Sequence, residues 1–367
     1  MNILLPFCLF FAFLCWVNRK NKRISFFLFT SFSLLLIVLL AIRFEFGPDY
    51  FNYWTIFDSV QGEDINNYKG SGNTIESLFL RYMQVFPNYS SFVAFNSLLW
   101  VSVLYWLVVK FVNTSSYWIV ILFLIVDPNL IIGSSVAMRS AIASVIFIIA
   151  IYYFISEYKY SRIVYVLLII LASLIHTSSL VFLPLFLIPR KKKSILSSYS
   201  YVVVLTILSL LIVITHNNFI FDIVYEVLFS NVEELGRYEN YNIGTTSSIS
   251  AVLFRILLAF ILFCIVTAAN KDSNKNFIYV YNLGILAISL QLVFGQSIVS
   301  DRFLMYLCPF YIISLCRSRV LLPKKLSFIA LIIAIAIPSY LLSIKMGKEY
   351  AVTFHIYQTI FSSSYIP

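Results

Sequence analysis

Long apolar runs alternate with short polar or basic segments along most of this chain. Each run was judged against the roughly 20 residues that one helix needs to cross a bilayer. About twelve membrane segments are predicted, at 2–17, 24–42, 91–110, 117–133, 138–156, 163–175, 177–189, 199–215, 250–269, 277–295, 302–316 and 326–343. The pattern predicts an all-α polytopic integral membrane protein, treated as a single membrane domain over residues 1–367.

The composition agrees with a membrane protein. Hydrophobic residues make up 61% of the chain and charged residues 11%, more apolar material than a soluble core of this length could bury. The first run has no basic residues ahead of it and no small-residue cleavage site behind it, so we expect a retained helix. The five cysteines lie in apolar runs without metal-ligand spacing, so neither a metal nor a cofactor is expected.

The distribution of basic residues predicts which ends of the helices face the cytoplasm. Clusters that should be cytoplasmic by the positive-inside rule lie at 19–23, 159–162, 190–193, 271–275 and 317–325. Both termini are then external, as are two longer loops: residues 43–90, with a short amphipathic helix, and residues 216–250. The net charge of +10 belongs mainly to the cytoplasmic face, so membrane lipids rather than nucleic acid are the expected partner.

One apolar run, from residue 163 to 188, is interrupted at His176-Thr177-Ser178-Ser179 and has basic clusters at both ends. A single crossing would place one of those clusters outside, so we predict two short or re-entrant segments that meet near His176. A histidine at a membrane-embedded turn can accept a proton or contact phosphate. It can equally well satisfy backbone groups of the turn, and both interpretations stay open.

Several arginines violate the positive-inside pattern, since the predicted topology places them at or near the external face. They are Arg43, Arg81, Arg139, Arg237, Arg255 and Arg302. Guanidinium groups carry a permanent charge and bind phosphate oxygens in pairs, so a group of them predicts a lipid pyrophosphate as ligand. The alternative for each residue is that it reaches to the membrane surface or pairs with a carboxylate.

The stretch from Arg43 to Tyr53 follows directly on an apolar run and is the first candidate site. Asp49 comes after Gly47-Pro48, a turn-forming pair, and could act as a base or orient a hydroxyl. An Asx turn is the alternative. Aromatic faces suit the apolar faces of sugars. Tyr50, Tyr53, Tyr238 and Tyr241 are therefore further candidates for substrate binding, and the carboxylate of Glu76 is another.

Short motifs follow one another along most of the chain. They are Arg43 with Gly47-x-Asp49-Tyr50 and Tyr53, Glu76 before a helix, Met138-Arg139 with Ala141-x-Ala143, Leu171-Ala172 with His176-x-Ser178-Ser179-Leu180, and finally Arg302. In combination this order is similar to the EpsG-like family of exopolysaccharide polymerases, which is akin in layout to Wzy O-antigen polymerases. Two positions depart from that family: Pro48 replaces the more common Thr, and Ser140 the more common Gln.

This resemblance implies a GT-C-like membrane glycosyltransferase at the outer face of the bacterial inner membrane. It would move a growing chain from its undecaprenyl-pyrophosphate carrier onto the next lipid-linked oligosaccharide repeat unit. The product would be an exopolysaccharide, a capsule or an O-antigen, and a chain-length regulator and a flippase are candidate partners. Within this hypothesis Arg43, Arg139 and Arg302 hold the pyrophosphates, Asp49 activates or orients the acceptor hydroxyl, and His176 is the fourth catalytic candidate.

Three other functions remain open at this point. A GT-C enzyme could use a polyprenyl-monophosphate sugar, which the identity of the lipid donor would reveal. An O-antigen ligase would transfer the same chain to a different acceptor. A flippase would move lipid-linked repeats without chemistry.

Overall fold

The structure is a computed structural model that describes residues 3–46, 49–62, 77–127, 130, 133, 135, 137–156, 158–188, 190, 195–215, 249–272, 274, 277–294, 298–317 and 358–359. Apart from turns, the regular structure of these residues is helical, with one pair of two-residue strands. They belong to two compact units. Unit 1 comprises Met1–Phe186 with Ser339–Pro367, and unit 2 comprises Leu187–Pro338.

Unit 1 contains eight described α-helices. They are α1 (Leu4–Val17), α2 (Lys22–Ala41), α3 (Tyr50–Val60), α4 (Ser77–Gln84), α5 (Tyr89–Phe111), α6 (Tyr117–Val126), α7 (Met138–Ile155) and α8 (Ser161–Ser173), with 3₁₀ helices at Thr114–Ser116 and Thr177–Leu187. Helix α1 packs on α2 and α6, α2 packs on α5, and α7 packs on α5 and α8. Strand β1 (Arg43–Phe44) pairs antiparallel with β2 (Gln358–Thr359), opposing Arg43 to Thr359.

Three described helices are long and apolar enough to cross a membrane, namely α2, α5 and α7. Shorter apolar helices accompany them in both units. The protein is therefore an all-helical membrane protein, as predicted. The count of twelve crossings and the GT-C-like arrangement stay predictions, as do the two external loops at 43–90 and 216–250.

Asparagine side chains begin two of these long helices. Asn21 Oδ1 accepts a hydrogen bond from the Ile24 amide at 3.2 Å, and Asn88 Oδ1 accepts one from the Ser91 amide at 2.8 Å. Such caps satisfy amides in the first turn that have no partner inside the helix. They fix where α2 and α5 begin, a few residues before the apolar runs themselves.

Helix α6 is shorter than the segment predicted at 117–133. It ends at Val126, and Asp127 has an extended backbone with ψ of 112°. The next residue in the sequence is Pro128, whose ring disfavours a helical conformation in the residue before it. Hydropathy alone therefore overestimated this helix.

The apolar run from 163 to 188 is folded back on itself. Helix α8 ends at Ser173, a turn follows, and the Thr177–Leu187 segment is a 3₁₀ helix that contains Pro184. The Tyr165 hydroxyl in α8 donates to the Phe182 carbonyl in the 3₁₀ helix at 2.6 Å, so the two segments lie side by side. At about 1.5 and 2.0 Å rise per residue, each is too short to cross a bilayer core of about 30 Å without tilt or thinning.

Unit 2 contains a 3₁₀ helix at Ile195–Ser197 and four described α-helices: α9 (Tyr199–Thr215), α10 (Ile249–Lys271), α11 (Ile278–Phe294) and α12 (Ile298–Arg317). Gly284 of α11 lets α12 approach closely, because a Cβ there would lie 2.6 Å from Ser314 Oγ and 3.0 Å from Tyr311 Cα. The Ser314 hydroxyl also reaches the Val280 carbonyl at 3.2 Å. Small residues at such crossings are typical of membrane helices.

A polar cluster closes one end of α10, α11 and α12. Arg317 donates to Asp272 Oδ2 from Nη2 at 2.8 Å and from Nε at 3.1 Å, and its guanidinium lies 3.5 Å from the Phe277 ring centre. The Tyr281 hydroxyl donates to the same carboxylate at 2.9 Å. Hydrogen bonds from the Asn274 amide, Arg317 and Tyr281 lower the pKa of Asp272, outweighing the opposing effect of its desolvation.

Candidate functional site

Arg43 is buried where α2 ends, with 2% of its surface exposed. Its Nη1 donates to the Leu40 carbonyl at 2.6 Å and to Ser97 Oγ at 2.7 Å, and its Nη2 donates to the Ser135 carbonyl at 3.4 Å. The guanidinium thereby connects the end of α2, the middle of α5 and the segment that precedes α7. Its positive charge is held in one place before any ligand arrives.

The chain turns sharply after this arginine. Glu45 adopts a φ of 51°, a left-handed conformation that residues other than glycine rarely adopt. Conformations of this kind persist only where the surroundings impose them, and they are concentrated at functional sites. Asp49 then begins α3, where its carbonyl accepts the Tyr53 amide at 2.9 Å and its half-buried side chain does not cap the helix.

A cluster of buried residues, here called the aromatic core, supports this turn. Its members are Phe44, Tyr50, Tyr53, Phe57, Val60, Phe79, Leu80, Met83, Tyr89, Phe92, Val93, Met138, Ile142 and Ile175. The Tyr50 and Tyr89 rings meet edge to face at 5.2 Å, and the Tyr89 hydroxyl donates to the Tyr50 carbonyl at 3.0 Å. Edge-to-face aromatic pairs add to the free energy of burial, so α3 is held firmly against the start of α5.

The pKa of Tyr50 is affected by its burial and by the charges around it. Burial raises its pKa to about 12, an effect that Glu45 reinforces and the positive charge of Arg43 partly opposes. The phenol therefore stays protonated at physiological pH and can act only as a neutral hydrogen-bonding group. Tyr50 can therefore hydrogen-bond to a ligand beside Arg43 and Glu45, but it does not serve as a base.

The other two predicted catalytic residues lie on α7 and at the turn after α8. Arg139 is the second residue of α7 and is half-buried. His176 is 7% exposed, and its backbone is fixed at both sides, because its amide donates to the Ala172 carbonyl at 2.9 Å and its carbonyl accepts the Ser179 amide at 3.0 Å. Arg139 thus projects from a helix, and His176 from a hydrogen-bonded turn.

The aromatic core brings these four positions to one region of unit 1. Phe44 follows Arg43, Tyr50 follows Asp49, Met138 precedes Arg139 and Ile175 precedes His176, and all four of these neighbours belong to the core. Residues that are far apart in the sequence therefore meet around a single packed cluster. The backbone positions of two arginines, an aspartate and a histidine therefore lie around one buried cluster.

The profile of the EpsG family matches residues 25–359, which is most of the chain. The chain belongs to the EpsG family. This confirms the resemblance that the sequence motifs predicted, and it indicates a membrane protein of polysaccharide synthesis with the glycosyltransferase-like activity of a polymerase. No curated protein and no solved structure matches the chain.

The remaining predicted substrate-binding residues of this EpsG family member are not all drawn together. Tyr53 belongs to the aromatic core, whereas Arg81 in the last turn of α4 is exposed. Arg255 lies in unit 2, buried on α10 at 8% exposure. Arg302 lies on α12, but its side chain is outside the described residues, as are Glu76, Arg237, Tyr238 and Tyr241 altogether.

Sequence analysis missed three residues that shape the site. Ser97 and Ser135 accept hydrogen bonds from Arg43, and Tyr89 anchors α3. A serine or tyrosine in an apolar helix gives no signal of such a role, because its partner is distant in the sequence. Among the described residues, no group of three or more His, Cys, Asp or Glu side chains could hold a metal ion.

Proposed function

We propose that this protein is a polysaccharide polymerase that joins undecaprenyl-pyrophosphate-linked oligosaccharide repeat units at the outer face of the bacterial inner membrane. One observation supports it above the others: in a member of the EpsG family, the aromatic core gathers the positions of Arg43, Asp49, Arg139 and His176. Phosphate-binding cations beside a carboxylate are what transfer from a lipid pyrophosphate requires.

The proposed reaction transfers the growing chain to a sugar hydroxyl of the next repeat unit. The hydroxyl oxygen forms a bond to the anomeric carbon of the donor sugar, and the bond from that carbon to the pyrophosphate oxygen breaks. The leaving lipid pyrophosphate keeps the electron pair. The proton of the hydroxyl passes to the Asp49 carboxylate, which acts as general base.

The two arginines of this region have different proposed roles. The Arg43 guanidinium is already bonded to three protein oxygens, so it acts as a positioning residue and as a fixed positive charge. Arg139 is half-buried in the first turn of α7 and is the proposed direct contact to the departing pyrophosphate. Cations that are fixed before the reaction stabilise developing negative charge without reorganisation during it.

The proposal is tested with the full-length protein in liposomes, supplied with lipid-pyrophosphate-linked repeat units. Asp49→Asn and Arg139→Ala, confirmed to insert at normal levels, should lose at least 100-fold in polymer formation, the range typical for a general base or a key electrostatic donor. Matched controls are Asp58→Asn, at an exposed acid on the same helix as Tyr50, and Arg162→Ala, at an exposed arginine on α8. Full-length polymer from Asp49→Asn and Arg139→Ala would contradict the assignment.

The same assay separates the other functions. Consumption of a polyprenyl-monophosphate sugar would indicate a different GT-C enzyme. Transfer of the chain to a lipid acceptor without elongation would indicate a ligase. Movement of repeat units across the membrane without new bonds would indicate a flippase. In cells, deletion of a polymerase leaves surface polysaccharide with a single repeat unit. Polymer of normal length in the deletion strain would contradict the proposal.

A further inference from the structure

Two serines beside His176 have buried hydroxyl groups without a hydrogen-bond partner. Ser179 has no exposed surface, and the Ser178 oxygen is likewise inaccessible to solvent. Among the serines in the described part of the chain, these are the two for which a buried Oγ lacks any partner. An unpaired polar group in an apolar environment is unfavourable, so such atoms usually have a specific reason to persist.

Six other buried serines in the described part of the chain bond in the usual way, to a carbonyl three or four residues earlier. These pairs are Ser33 with Phe29, Ser97 with Val93, Ser144 with Ala141, Ser209 with Thr206, Ser289 with Ile285 and Ser314 with Phe310. This bond is the ordinary solution for a serine in a membrane helix. Ser178 and Ser179 differ from these six serines, because their buried hydroxyl oxygens have no such partner.

These two hydroxyls lie in a different local backbone from those of the six serines above. They lie in the first turn of the Thr177–Leu187 3₁₀ helix, directly after the turn that ends α8. The His176 carbonyl, three residues before Ser179, already accepts the Ser179 amide, and the Ala172 carbonyl accepts the amides of Ile175 and His176.

The position of the pair points to the site described above. Ile175, which precedes His176, belongs to the aromatic core together with Met138 and Ile142, which flank Arg139 along α7. Hydroxyl groups here would complement the positive charge of Arg139 as neutral donors. Bonds from a hydroxyl to an anionic oxygen are about twice as strong as bonds to a neutral one, and more so where water is scarce.

We infer that the Ser178 and Ser179 hydroxyls donate hydrogen bonds to pyrophosphate oxygens of the substrate, next to His176. This assignment rests on the proposed function for the identity of the lipid-linked substrate. The ligand supplies the partners that the ligand-free protein lacks. The two serines are therefore binding residues, and their removal weakens pyrophosphate binding without removing any hydrogen bond from the ligand-free fold.

Inorganic pyrophosphate is the probe, and thermal unfolding of the full-length protein in detergent is the measurement. Pyrophosphate should raise the unfolding temperature of the wild type, since a ligand of the folded state stabilises it. Ser178→Ala and Ser179→Ala should unfold at or above the wild-type temperature without ligand, and should bind pyrophosphate about ten- to a hundred-fold more weakly. Ser144→Ala makes the same change at a fully buried, bonded serine and should leave pyrophosphate binding unchanged.

Wild-type affinity for pyrophosphate in both serine variants would overturn the inference, and so would the absence of any shift in the wild type. A second arm replaces pyrophosphate with phosphatidylglycerol: protection by that lipid alone would assign the serines to a lipid headgroup and overturn the pyrophosphate assignment. Loss of pyrophosphate binding in the variants, with a wild type that does not polymerise repeats, would uphold the serine site and refute the proposed function.

Discussion

Replacement of Arg43 tests whether one buried guanidinium both holds unit 1 together and serves the reaction. Arg43→Ala removes two short hydrogen bonds, to Leu40 and Ser97, and one long bond to Ser135. Bonds from a charged donor contribute about 1.5–3 kcal/mol each. The sum of the two short bonds overstates the loss, because the mutation also removes the cost of burying a charge.

The groups that remain after Arg43→Ala are neutral oxygens rather than an unpaired charge. The Leu40 carbonyl can still accept from the Ser97 hydroxyl, which lies 3.2 Å away. We therefore expect a net loss of about 2–4 kcal/mol in the free energy of unfolding. Arg43→Lys keeps the charge but not the planar fork that reaches three acceptors, so its loss should be about half as large.

The assay is thermal unfolding in one detergent at one scan rate, because unfolding of membrane proteins is commonly irreversible. At roughly 2 °C per kcal/mol, Arg43→Ala should unfold about 4–8 °C below the wild type. Polymer formation is measured at a temperature where both proteins stay folded. There Arg43→Ala should lower kcat with little change in KM, and Arg43→Lys should restore part of it, since a fixed positive charge acts on the transition state.

Two results would refute this reasoning. An unchanged unfolding temperature for Arg43→Ala would mean that the guanidinium does not make the hydrogen bonds described. A stability loss with unchanged kcat would mean that Arg43 is purely structural. Arg162→Ala, at an exposed arginine of α8, is the control for the general effect of losing a positive charge.

Two further predictions concern unit 2. Gly284→Ala should lower the free energy of unfolding by about 1–3 kcal/mol, because the new Cβ meets the α12 backbone at Tyr311; an unchanged unfolding temperature would contradict the close packing. Asp272→Asn and Arg317→Lys should each destabilise the protein at pH 7. The folded-state pKa of Asp272 is lowered, so its contribution is complete above the ordinary carboxyl pKa of about 4 and disappears as pH falls through the folded value. Unfolding temperatures of wild type and Asp272→Asn should therefore converge in acid; a constant difference would contradict the pairing.

The long helices could be predicted from sequence because a sustained apolar run is a strong signal. The predicted segments 24–42, 91–110 and 138–156 correspond to α2, α5 and α7 within about two residues at each end. Their exact starts depended on local caps, which hydropathy does not detect. The hairpin at His176 was predictable from the charge rule, since basic clusters at both ends excluded a single crossing.

The charged residues of the candidate site could be predicted from the sequence, but the residues that hold them in place could not. Arg43 and Asp49 stood out because charge is costly beside an apolar run. Ser97, which holds Arg43, did not, because it lies 54 residues away and looks like an ordinary helix serine. Pairing across such a distance depends on the tertiary fold, for which composition and periodicity carry no information.

The strand pair constrains the membrane topology more directly than hydropathy can. Arg43 and Phe44 oppose Thr359 and Gln358 in an antiparallel ladder, so both segments must lie at the same face of the membrane. The chain must then cross the membrane an even number of times between Phe44 and Gln358. The sequence prediction also gives an even number of segments after Arg43, when the two halves of the His176 hairpin are counted separately; the count itself stays a prediction.

This constraint is testable with single cysteines at Glu45, which follows the first strand, and at Gln358, in the second strand. The native background should be low, because all five natural cysteines are buried. A membrane-impermeant maleimide added outside intact cells should label Glu45→Cys and Gln358→Cys alike, while Lys159→Cys, in a predicted cytoplasmic cluster, should react only after the membrane is opened. If the two cysteines were labelled from opposite sides of the membrane, the pairing of the second strand with the segment that carries Arg43 would be excluded.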